Sequence, residues 1–127
     1  GSTKVYDNAI LYDDAAVYGN SLIFEHAGVF GKANVYNNAQ VYGDAKVFSN
    51  AQVYGDSKVY GNAEVRDKAR VYGKTEIYGN ATIYGNTRVY NNVKVFDNAR
   101  VFGNTRLFGD TELCGNAKLC GFIKFKL

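Results

Sequence analysis

Hydrophobic and polar positions recur along this chain with a period of six. From Thr3 to Phe122 it divides without a gap into 20 hexads of consensus Ala-x-Val-Tyr-Gly-Asn, as in Ala39-Gln40-Val41-Tyr42-Gly43-Asp44. Position one is small in nineteen hexads (twelve Ala, five Thr, two Ser), with Val93 as the exception, and position three is Val, Leu or Ile in all twenty. Position four is aromatic in seventeen, with Arg66, Cys114 and Cys120 as the departures. Position five is Gly in twelve hexads, and position six is Asn or Asp in fifteen. Alternation over positions one to four predicts a short strand whose side chains point in turn to opposite faces. Position two carries Lys4, Lys46, Glu64, Arg70 and Glu76 among others, and such charges do not line a narrow core. Positions two and four therefore face outward, and the small and aliphatic side chains of positions one and three face inward. Positions five and six make a corner, because Gly and Asn tolerate left-handed backbone angles that other residues avoid.

Short strands joined by tight corners, with one small and one medium side chain inside, describe an all-β solenoid in which each coil buries its core only against its neighbours. Every hexad supplies one aliphatic side chain, whose burial is worth roughly 1.5–3 kcal/mol, offset in large part by the cost of ordering the chain. An aliphatic residue is followed four positions later by a small one, as in Val41 with Ala45, Val53 with Ser57 and Ile83 with Thr87. This spacing resembles the repeat of the left-handed parallel β-helix, the hexapeptide-repeat family, over nearly the whole chain. The resemblance implies a triangular solenoid with three hexads, hence 18 residues, per coil and six to seven coils in all. It also implies the left-handed winding, which ordinary crossover preferences would not predict; a right-handed parallel solenoid is the alternative. A single domain over residues 3–127 is expected, with Gly1-Ser2 read as an expression scar.

Residues one coil apart stack on one another, which turns the outward positions into columns. The first face carries Tyr6, Phe24, Tyr42, Tyr60, Tyr78, Phe96 and Cys114; the second carries Tyr12, Phe30, Phe48, Arg66, Tyr84, Phe102 and Cys120. The third carries Tyr18, Tyr36, Tyr54, Tyr72, Tyr90 and Phe108. Ring ladders stabilise stacked strands. Three of them also expose more apolar surface than a solitary monomer usually shows, so self-association or a flat ligand such as a glycan is expected beside the structural role. At position two of the first face, Lys58, Glu76, Lys94 and Glu112 alternate in sign, which suits a salt-bridge ladder of small net worth. The third face instead stacks Arg70, Arg88 and Arg106 like on like, a mildly destabilising arrangement that asks for a compensating use. Each is followed two residues later, on the same face, by Tyr72, Tyr90 or Phe108. Arginine beside aromatic rings binds anions by charge plus stacking. These six are the candidate ligand-binding residues, the arginines as anion contacts and the rings as stacking platforms.

Composition narrows the chemistry. The chain is 46% hydrophobic, which excludes a disordered polymer, and no apolar stretch approaches the roughly 18 residues that span a bilayer. A net charge of +3 is too mild to indicate nucleic acid or a membrane surface as partner. No basic-then-apolar leader opens the chain, and two Cys do not make a disulfide framework, so a cytoplasmic location is expected. The acyltransferases of the hexapeptide-repeat family resemble this chain in the repeat alone. They interrupt their coils with loops, add a C-terminal helix and place a catalytic His at a subunit interface, whereas here the register is unbroken from Thr3 to Phe122. The one His is His26, at the corner of the irregular hexad Ser21-Leu22-Ile23-Phe24-Glu25-His26. It is the only candidate general base, and it would need a supporting partner that Glu25 cannot be assumed to supply. One His cannot form the three-His zinc site of the γ-class carbonic anhydrases, and Cys114 and Cys120 point outward on successive faces, too far apart to share an ion or a disulfide. No metal and no cofactor is therefore expected. Ice binding would want outward rows of Thr, but Thr75, Thr87, Thr105 and Thr111 fall at inward position one.

The two ends differ from the middle. In the first coil position two is apolar, with Ile10, Ala16 and Leu22 followed by Gly28. Ile10 and Leu22, with Phe24, form a patch expected to meet a partner subunit or a segment outside this chain. At the other end Phe122, Ile123 and Phe125 belong to a bulky apolar stretch expected either to plug the last coil or to pair with another chain, since an uncovered solenoid end is an open strand edge. The expected function is a non-catalytic, rigid structural or binding module, part of a larger bacterial or phage-type protein by resemblance to tandem hexapeptide proteins. Two alternatives stand beside it: a minimal acyltransferase-like enzyme using His26, and a structural protein that self-assembles through its ends.

Overall fold

A computed structural model describes residues 2–121 and the backbone of residues 124–126. Each described hexad forms a strand at positions two and three, from Lys4–Val5 to Lys118–Leu119, with three-residue strands at Arg106–Phe108 and Lys124–Lys126. The strands fall into three seven-stranded sheets, each built from every third strand in chain order. Pairing is parallel throughout, and its register is one coil of 18 residues: Lys58 sits between Gln40 and Glu76, and Val59 between Val41 and Ile77. The molecule is thus a three-sided parallel β-solenoid, and no helix occurs among the described residues.

The ladder runs further than the two-residue strands. The N–H groups of positions two, four and six donate to the carbonyls of positions one, three and five in the next coil. In one central hexad these bonds run from Lys58 to Thr75 (2.9 Å), Tyr60 to Ile77 (2.9 Å) and Asn62 to Gly79 (2.7 Å). Corner backbone is therefore paired as strand backbone is, which leaves few main-chain groups to be satisfied by other means.

Alternation places the core as the sequence pattern requires. From Ser21 to Thr105 the side chains of positions one and three are fully buried, the hydroxyl-bearing Ser57, Thr75, Thr87 and Thr105 among them. A buried hydroxyl needs an acceptor. Ser21, Ser57 and Thr105 donate to the carbonyls of Tyr18, Tyr54 and Phe102, three residues earlier, each at 2.7 Å. Where Ala stands at position one, its backbone N–H often takes that acceptor at longer range, as from Ala45 to Tyr42 (3.4 Å). The hydroxyls of Thr75 and Thr87 have no partner.

The corner departs from expectation in one respect. Among the described residues left-handed backbone is confined to position five, where the twelve Gly and the eight other residues all have positive φ, whereas no position-six residue does. Space as well as φ favours Gly there: at Gly61 (φ +66°) an added Cβ would lie 2.9 Å from the backbone nitrogen of Gly79 in the next coil. All five acidic residues at position five use their carboxylates to offset this crowding. Asp7, Asp13, Glu25, Asp67 and Asp97 accept the N–H of the position-five residue one coil on, at 3.0–3.3 Å.

Val5 and Leu11 point inward yet are 40% and 41% exposed, because no described coil lies beneath them. Of the apolar end residues, Ile10 is exposed and Leu22 and Phe24 are half-buried. Phe122 and Ile123 lie outside the described residues. Phe125 is described by its backbone alone, which pairs with Leu107.

Candidate anion-binding site

Constant coil length makes every outward column a ladder with the spacing of the sheet. On the third face Tyr18, Tyr36, Tyr54, Tyr72, Tyr90 and Phe108 stack without a break, ring centroids 4.7–5.1 Å apart and planes within 7°. The first face stacks likewise from Tyr6 to Phe96. The second is broken at Arg66, whose guanidinium carbon lies 4.4 Å from the centre of the Tyr84 ring, a planar cation standing in for a ring. Both faces of Tyr72 and of Tyr90 are covered by neighbouring rings. These two were expected as stacking platforms. With their faces occupied by the ladder itself, they offer a ligand their edges and hydroxyls instead.

Beside this ladder runs the arginine column. Arg70 pairs in register with Arg88, and Arg88 with Arg106, so three guanidiniums rise one per coil on the third face. They line a groove of about 310 Å³ together with Lys68, Asn86 and Asn104. These last three are position-six residues of the adjoining corner, each two residues before an arginine. They were missed from sequence because the column rule was applied to positions two and four alone; carried to position six, the same spacing assembles them. The groove wall holds four cations and no carboxylate. Among the described residues the one ion pair is Arg66 with Glu64, at 4.0 Å, so no carboxylate neutralises the column. Like charges about 5 Å apart repel by about 1 kcal/mol in water and more where the dielectric falls. The arginines also bear on the ring ladder. Burial raises the Tyr72 phenol above its usual range, as do its neighbours Tyr54 and Tyr90, while Arg88 and Arg106 pull it back.

The other candidates are not assembled into a site. His26 is exposed at its corner, and the carboxylate of Glu25 is taken by the N–H of Gly43 at 3.0 Å, so the adjacent acid does not serve the imidazole. Cys114 and Cys120 are exposed free thiols. The alternating column of the first face does not form the expected salt-bridge ladder: Glu76 accepts the Tyr60 hydroxyl at 2.8 Å, and among the described residues it pairs with neither Lys58 nor Lys94. Burial, and after it this hydrogen bond, raises the Tyr60 phenol well above its usual range.

The family model of the YdcK beta solenoid repeat matches residues 39–55 and 77–91. No curated protein and no solved structure matches the chain. Both matched segments lie in the regular central coils, each with the register described above, and each is similar to that repeat. With the coil geometry, this makes the chain a parallel β-helix repeat protein.

Proposed function

We propose that this chain is a non-catalytic, rigid β-solenoid module that uses the groove of its third face to hold anions. One observation carries the reading: four cations line the groove with no carboxylate beside them, although each stacked pair costs the free protein repulsion. Guanidinium groups suit the purpose, since their planar donor forks match the oxygens of sulfate, phosphate and carboxylate. The position-two residues lie on hydrogen-bonded strands, so their backbone is fixed before binding and only the side-chain rotamers have to order. The test is a titration of the protein with inorganic sulfate, followed through the arginine side-chain NH resonances. Saturable shifts at Arg70, Arg88 and Arg106, lost in Arg88→Glu, are expected. Shifts that grow linearly without saturating would refute the anion site.

A further inference from the structure

Resting on that reading of the groove, we infer that its ligand is a linear acidic polysaccharide lying along the solenoid axis. The groove is repetitive in the direction of the axis. Lys68, Asn86 and Asn104 climb one side and Arg70, Arg88 and Arg106 the other, one residue of each row per coil, with the neighbouring Tyr72 and Tyr90 rings 4.9 Å apart. An extended 1,4-linked pyranose chain advances by nearly the same distance per sugar with successive sugars turned over, so equivalent groups on alternate sugars meet rungs two coils apart, as Arg70 and Arg106 are. The two rows differ in the way such a polymer needs. The arginines take sulfate or carboxylate oxygens in bidentate fashion, while the Asn86 and Asn104 amides both donate and accept, as sugar hydroxyls require. A single-stranded nucleic acid is the competing polyanion, and its affinity draws on bases stacked against free aromatic faces. Here the faces of Tyr72 and Tyr90 are already covered, so the polymer favoured is one whose repeat carries charge and hydroxyls without a flat base.

The experiment is calorimetric titration of the whole chain with size-defined sulfated oligosaccharides, from di- to octasaccharide, with inorganic sulfate and oligo-deoxythymidine as separate arms. Affinity is expected to climb with length and level off once the groove is filled. Arg88→Gln should weaken the hexasaccharide about tenfold and reduce the salt slope by about one. That variant should fold, because Gln40 and Gln52 already occupy position two; unchanged far-ultraviolet circular dichroism verifies it. Affinity independent of length, with sulfate bound equally well, would overturn the polysaccharide and leave the anion site standing. Oligo-deoxythymidine bound as tightly as the hexasaccharide would overturn it in favour of nucleic acid. Binding by neither sulfate nor any oligosaccharide would remove the anion site as well.

Discussion

Crowding at the left-handed corner yields a sharp expectation from a matched set of substitutions. In Gly61→Ala the new Cβ would stand 2.9 Å from the nitrogen and 3.2 Å from the oxygen of Gly79, on a backbone with φ +66°. In Gly115→Ala the φ is nearly the same, +68°, but no described residue lies within 4 Å. Left-handed backbone costs an alanine roughly 1–2 kcal/mol, and this term is common to both. Only Gly61→Ala must also push the next coil away by several tenths of an ångström. That stretches the 2.7 Å bond from Asn62 to Gly79 and the 2.9 Å bond from Tyr60 to Ile77, each worth about 1 kcal/mol net. Gly61→Ala is therefore expected to cost about 3 kcal/mol and Gly115→Ala about 1 kcal/mol. The third member, Gly61→Asp, meets the same crowding but offers Gly79 a carboxylate, as Asp67 offers Gly85 and Asp97 offers Gly115, both at 3.0 Å. It should recover about half of the alanine loss, through a charge-assisted bond of roughly 1.5 kcal/mol. Urea denaturation followed by circular dichroism measures all three. Equal losses in Gly61→Ala and Gly115→Ala would refute the crowding argument, and a Gly61→Asp no better than Gly61→Ala would refute the carboxylate's role.

The buried, unpartnered hydroxyl of Thr75 should make Thr75→Val stabilising by about 1 kcal/mol, as Val93 already fills the next rung of that column; Thr105→Val, which breaks a 2.7 Å bond to Phe102, should lose a similar amount by the same denaturation assay. Neutralising the middle of the arginine column in Arg88→Gln should raise Tm at low ionic strength, with the gain vanishing in high salt as screening removes the repulsion; a gain independent of salt would refute the electrostatic origin. Burial raises the phenols of Tyr36, Tyr42, Tyr60, Tyr72 and Tyr78 above the ordinary tyrosine value of about 10. Unfolded chains then release those protons first, so stability is intact below pH 10 and falls as pH rises through the folded values. Alkaline titration should show their phenolate absorbance emerging late and together with loss of the sheet signal. Early ionisation with the sheet intact would contradict it.

Much of this architecture is legible in the residues because every coil has the same length. A strict period of six places each Ala and Val inward and each ring outward; the three hexads per coil implied by the resemblance to the left-handed β-helix repeat then decide which residues stack, the column Arg70, Arg88, Arg106 among them. The buried Thr75 and Thr87 follow in the same way. What periodicity does not carry is distance and direction within a rung. Glu76 stands between two lysines in its column, yet its carboxylate turns to the Tyr60 hydroxyl, a choice made by side-chain reach and desolvation. The five corner carboxylates find their acceptor role only because left-handed position five aims the next coil's N–H at them. The groove beside the arginines arises because the corner brings position six to the edge of the following face. Repetition dictates which residues are neighbours, because it acts through chain length; tertiary structure decides which of those neighbours bond, because hydrogen bonds and charge depend on a few tenths of an ångström and on the direction of each group.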